Sequence, residues 1–167
     1  MNKWYAILMV ALLVSCSSID CSVNNLVRTK YQFYSSSGDS LNLLDTMTVV
    51  TMRVDGSDTI IYDANDDVVF NKGVGISSFH LPISYSHPED VLVFSFYRDS
   101  LHVTETVWVK KDDYPHFESV DCNASFFHNL TNIRYTQNCF DSIVIVNPSV
   151  TNDDKVLHVR IYPKTGD

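Results

Sequence analysis

The densest collection of reactive side chains in the sequence lies between residues 114 and 128, which read YPHFESVDCNASFFH. His116, Glu118, Asp121, Cys122 and His128 could in principle act as base, acid, nucleophile or metal ligand. A thiol nucleophile needs a thiolate with an imidazole in hydrogen-bond reach. His116 and His128 each stand six positions from Cys122. In extended chain that even spacing puts them on its face but beyond reach of its sulfur along one strand. For zinc, His116, Glu118 and His128 are allowed ligand types, but their spacing matches none of the short-range ligand pairs of zinc sites. They stand as weak ligand candidates. The plainer expectation is that Cys122 joins a disulfide while Phe117, Phe126 and Phe127 fill core around it.

Other chemistry is thinner. Asp63-Ala64-Asn65-Asp66-Asp67 offers oxygen ligands at alternate positions, as a calcium loop begins. Val68 and Val74 then stand where such a loop needs Gly and Glu, so a solvated turn is expected. No nucleophile elbow, phosphate loop or helical zinc motif occurs. The reading is of a chain with no catalytic residues, no metal and no cofactor.

These residues must be positioned by strands. Val is the commonest apolar residue, Thr, Ile, Tyr and Phe are frequent, and Asp greatly outnumbers Glu. β-branched and aromatic residues suit a pleated half-buried surface, and Asp suits turns. Alternation predicts strands at 27–34, 47–54, 58–62, 68–70, 76–81, 91–97, 101–110, 133–137, 142–146 and 156–162. The segments 47–54 and 58–62 form a hairpin around Asp55-Gly56, 68–70 is an edge strand, 91–97 is central, and 147–154 is a loop. Short, uneven strands at this spacing predict an all-β fold: a single antiparallel β-sandwich of immunoglobulin-like architecture over residues 27–167. A β-barrel enclosing a ligand pocket is the alternative.

The chain carries a net charge of −8, which opposes binding to the phosphates of nucleic acid. Residues 1–15 have the order of an export signal: Lys3, then the apolar run Ala6–Val14, too short to span a bilayer. Leu13-Val14-Ser15-Cys16 resembles the bacterial lipobox. The resemblance implies removal of residues 1–15, lipidation of Cys16, and residues 16–26 as a tether. Several acyl chains, at about 0.8 kcal/mol per buried methylene, anchor stably where one would not. No Asp follows Cys16 directly, so the inner-membrane retention pattern is lacking and the outer membrane is the expected location, on either face.

Export also places the remaining cysteines, Cys21, Cys122 and Cys139, in an oxidising compartment. Ser18-Ile19-Asp20-Cys21 and Ser119-Val120-Asp121-Cys122 are near-repeats. A Cys21–Cys122 bridge is the favoured pairing and Cys122–Cys139 the alternative. The first would close a loop of about 100 residues, worth roughly 4–5 kcal/mol in the chain-entropy account.

Asp-Ser/Thr-aliphatic occurs at Ser40, Thr46, Thr59, Ser100 and Ser142. It resembles the O-glycosylation signal of Bacteroidota-type exported proteins. It is also what results when Asp ends a turn and Ser or Thr opens a strand. Finally, Thr29-Lys30-Tyr31, Ser78-Phe79-His80-Leu81-Pro82, Pro88-Glu89-Asp90 and the run from Pro115 to Cys122 with Phe126-Phe127-His128 resemble an uncharacterised family of small Bacteroidota-type lipoproteins. That resemblance implies an envelope location and supports the Cys21–Cys122 pairing. It implies no activity. The expected role is a non-catalytic binding or structural component of the cell envelope, held by lipid and joined to another envelope protein. An envelope hydrolase or a small-ligand carrier is the alternative.

Overall fold

The computed structural model describes residues 27–54, 60–61, 68–117 and 124–164. Within them the chain is all-β, with no helix. The strands are β1 (Arg28–Phe33), β2 (Thr46–Val54), β3 (Ile60–Ile61), β4 (Val68–Gly73), β5 (Ser78–Pro82), β6 (Glu89–Arg98), β7 (Leu101–His116), β8 (Ser125–Tyr135), β9 (Phe140–Ile145), β10 (Ser149–Val150) and β11 (Val159–Pro163). They form two sheets. The smaller has the order β5-β1-β11-β9. The larger runs β10-β8-β7-β6-β2-β3, with β4 also on β2.

The sheets face each other in a sandwich-like arrangement because alternate residues on each are apolar. Tyr31, Phe33, Phe79, Leu81, Val159 and Ile161 from the small sheet meet Met47, Val49, Phe94, Phe96, Val107 and Val109 from the large one. Rings join the layers: Phe79 lies edge-on to Phe94 at 6.1 Å between centroids, and Phe94 lies edge-on to Phe140 at 5.5 Å. Such offset pairs add about 0.5–1.5 kcal/mol each beyond the area they bury. Gly73 is required where β4 ends, since a Cβ there would collide with the Phe70 ring. Asp99, at φ 51°, makes the tight turn between β6 and β7, a backbone state that Asp tolerates better than most residues.

One expectation needs correction. The fold is not wholly antiparallel: β1 and β11 pair in parallel, with Tyr31 opposite Val159 and Phe33 opposite Ile161. Parallel neighbours need a long crossover. Here the first and last strands meet, so most of the chain serves as that connection.

The inner face of β7 buries charge as well as apolar side chains. Its buried positions are Glu105, Val107, Val109 and Lys111, so charges sit at both ends of an apolar row. Beyond Lys110 the partner strand β8 carries an extra residue. Lys110 pairs with Asn132 and Lys111 with Leu130, which leaves Thr131 over. The bulge lets Leu130 and Ile133 both turn toward the core. β7 also outruns β6, which begins opposite Lys110. Residues 111–116 pair with β8 and not with β6, forming a projecting arm; β10 still flanks β8 at His128 and Asn129, so the arm is two-stranded only from Tyr114 to His116.

Candidate functional site

The sandwich has two distinct poles. At one, the chain enters at Val27, β1 starts opposite Pro82, and the loop from Ile83 leads to Asp90 at the start of β6. At the other lie the ends of β1, β6 and β11 and the starts of β2, β7 and β9.

The entry pole holds a buried polar network. Lys111, whose side chain has no exposed surface, donates to the His87 carbonyl and lies 3.5 Å from Asp113 Oδ1 and 3.9 Å from Asp90 Oδ2. Asp113 Oδ1 is also 2.6 Å from His128 Nδ1. Asp90 Oδ2 accepts the Ser84 N–H at 3.0 Å. Burial raises the Asp90 carboxyl above the usual range, against the lowering effects of the Ser84 N–H and of Lys111. Burial lowers the His128 imidazole, against the opposing pull of Asp113. The network is a satisfied set of charges that fixes the β6–β7–β8 corner. A cleft of about 320 Å³ opens beside it, bordered by Thr51, Met52, Ser84, Ser86, His87 and Asp90. Ser86 Oγ lies 2.8 Å from His87 Nδ1, but the two are chain neighbours on an exposed loop. Among the described residues no carboxylate is hydrogen-bonded to His87, so no acid–base relay is assembled.

The predicted ligand candidates are not brought together. His116 lies opposite Ser125, and His128 opposite Asp113. By strand alternation they occupy opposite faces of the β7–β8 arm. His116 stacks on Phe127 at 4.2 Å, whereas His128 is buried against Asp113. Glu118, Cys122 and the acidic turn 63–67 lie outside the described residues, as do Cys16, Cys21 and Thr59. Among the described residues no group of three or more His, Cys, Asp or Glu side chains is placed to hold a metal ion. Cys139 is a free, half-buried thiol, so the alternative Cys122–Cys139 bridge is not formed. Phe117, expected in the core, is 65% exposed, because it follows the end of the projecting strand. Phe126 and Phe127 are half-buried.

The far pole is mostly apolar, with Asp45, Arg98 and Lys164 also lining its groove. A groove of about 440 Å³ is bordered by Leu41, Leu43, Leu44, Phe96, Leu101 and Val103, with Cys139 and Phe140 among its other neighbours. Leu44 is 75% and Leu101 69% exposed. Sequence periodicity missed this feature because Leu41, Leu43 and Leu44 lie in a connection, not a strand. The signal available was an apolar cluster inside a loop. Glu105 builds the groove floor indirectly. Its buried carboxylate accepts the Thr136 hydroxyl, the Cys139 N–H at 2.8 Å and the Phe140 N–H at 3.1 Å, which fixes the turn into β9. Burial alone would raise this carboxyl; those hydrogen bonds outweigh it and hold it below the usual range. Burial, with the adjacent Glu105 charge, pushes the Cys139 thiol up to about 12, which disfavours the reactive thiolate.

The serine and threonine candidates are scattered. Ser40 is exposed and accepts from Gln32 Nε2 at 3.0 Å. Thr46 opens β2, after Asp45 pairs with Arg98. Ser100 is exposed in the β6–β7 turn, and Ser142 is half-buried within β9.

No curated protein and no solved structure matches the chain. Residues 46–163, from the first residue of β2 to the last of β11, match a family of unknown function, DUF6452. The match spans most of the chain and takes in the polar network and the Phe96, Leu101, Val103 and Phe140 side of the groove, but not Leu41, Leu43 and Leu44; the chain belongs to that family.

Proposed function

We propose that the chain is an outer-membrane lipoprotein of Bacteroidota type that works by binding, as a non-catalytic accessory part of an envelope complex. Its Cys16 carries the lipid, and the domain is an immunoglobulin-like sandwich whose chain passes repeatedly between the two sheets. The observation that carries the binding reading is the apolar groove at the far pole. Contiguous exposed apolar surface mostly marks an interaction site, and Leu44 and Leu101 stand largely bare beside a cleft lined by Phe96 and Val103. The groove lies at the opposite end of β1 from Val27, the residue that follows the proposed tether. The partner presents an apolar side chain or short apolar segment to it. O-linked sugars at the exposed Ser40 and Ser100 fit the same envelope location.

A small apolar ligand is the second reading, favoured by a groove volume within the roughly 300–1,000 Å³ of ligand pockets. Purification of the tethered protein from native membranes separates the two. A stoichiometric protein partner, lost on Leu44→Asp, supports the accessory role. Recovery of the domain alone, with extra mass in gentle native mass spectrometry, supports the carrier. Recovery of the domain with neither ends both.

A further inference from the structure

The entry pole also carries apolar surface, and it differs in kind. The β7–β8 arm extends six residues beyond the start of β6, from Lys111 to His116. At about 3.3 Å per residue this is roughly 20 Å of strand. Both its faces are aromatic. One bears Tyr114 and the His116–Phe127 stack. The other bears Phe126, on which Tyr85 from the loop after β5 stacks at 4.7 Å and 10°. Tyr85 is 65%, Tyr114 52% and Phe117 65% exposed. At the far pole the exposed apolar groups of the groove are aliphatic instead.

This arm stands where the chain leaves for its anchor. β1 begins at Arg28 opposite Pro82, three positions before Tyr85. Val27 lies eleven positions after Cys16, a span of at most about 40 Å even when fully extended. A lipid at Cys16 therefore keeps Val27 within that distance of the bilayer, and this pole is the one nearest Val27 along the chain. Rings with a polar tip or edge favour the headgroup zone, where one end is apolar and the other wet. Among the described residues of the arm, Lys111 is buried against Asp113 and Asp90, and Lys110 and Asp112 are of opposite sign.

We propose that Tyr85, Tyr114 and Phe117 form an interfacial anchor that seats the arm in the headgroup region of the bilayer holding the lipid tether. The proposal rests on the lipoprotein reading and adds an orientation: arm down, groove away. Seating is by apolar contact, so it persists at high salt, unlike attraction to anionic lipid.

The test uses the full lipidated protein in phosphatidylcholine vesicles with and without a brominated fraction, which quenches nearby tryptophan. In a Trp108→Phe background, a single tryptophan is placed by Tyr114→Trp, Phe117→Trp or Leu101→Trp. The first two are expected to lose at least half their emission in brominated vesicles, at both low and molar salt. The Leu101 variant keeps its emission. Flotation with the vesicles but no quenching in the Tyr114 and Phe117 variants overturns the arm and leaves the tether standing. Equal quenching in all three overturns the orientation. Failure to float overturns the tether and the arm with it.

Discussion

Asp113 and His128 face each other across the β7–β8 ladder, Nδ1 2.6 Å from Oδ1, beside a lysine with no exposed surface. The pair turns two residue types that suggest chemistry into structure. His128 is locked on the inner face, so it cannot share a ligand with His116 on the outer one.

Lys111 is the keystone of that corner. Replacing it with methionine leaves Asp90 and Asp113 without their buried cation. Breaking such a pair from one side costs about 3–5 kcal/mol. Urea unfolding of Lys111→Met should show a loss of that size. Adding Asp113→Asn should recover part of it, because the stranded charge is then removed.

Acidification should destabilise the domain. His128 and His158 are both buried, and burial lowers each imidazole below its ordinary value of 6.5. The His158 ring accepts the Lys30 N–H at Nδ1, at 3.0 Å, so its proton sits on Nε2, which is buried; burial outweighs the opposing pull of the Ser149 backbone. The unfolded chain binds these protons more readily than the fold. Stability is therefore complete above the ordinary histidine value and lost as pH falls through the folded values, by up to about 1.4 kcal/mol per unit for each ring. Asp90, raised by burial, acts in the opposite sense in the carboxylate range. The histidine share is thus read by comparison: melts between pH 7.5 and pH 5 should slope less in a His158→Gln variant than in the wild type.

Glu105 should matter more than its distance from any reaction suggests. Glu105→Ala abandons the Cys139 and Phe140 N–H groups, and hydrogen bonds to a buried charge contribute about 1.5–3 kcal/mol each. A loss of at least about 3 kcal/mol is expected, with a smaller loss for Glu105→Gln. Leu101→Asp, on open surface, should stay within about 0.5 kcal/mol of wild type. Parallel denaturation curves check all three.

The Cys139 thiol should resist alkylation. With its pKa pushed up to about 12, almost none is thiolate at pH 8. Iodoacetamide labelling followed by peptide mapping should find Cys139 unmodified in the folded protein and modified in urea. Rapid labelling of the native protein contradicts the packing around Glu105.

Most of the strands were legible because their alternation is strong. Met47–Val54 and the apolar run Val91–Tyr97 appear as β2 and the central β6, and the Arg98-Asp99-Ser100 turn lies where expected. The errors share a cause. β7 continues through Lys111, Asp112, Asp113 and Pro115, and β8 begins at Ser125; polar residues and a proline hid both, although the two strands satisfy each other's backbone. Ser149–Val150, read as loop, is the short strand β10 on the edge of β8. The polar network was invisible because Asp90, Lys111 and His128 come from three strands. The groove was invisible because its leucines sit in a connection and its aromatic floor comes from β6 and β9.

The most direct measurement is site-specific photocrosslinking in native membranes, with a photoreactive residue at Leu44, Leu101 or Tyr114 in turn. The account predicts one discrete protein adduct from positions 44 and 101, and lipid adducts from position 114. Protein adducts from 114 with none from 44 or 101 would contradict it, since the binding surface would then lie at the tethered pole.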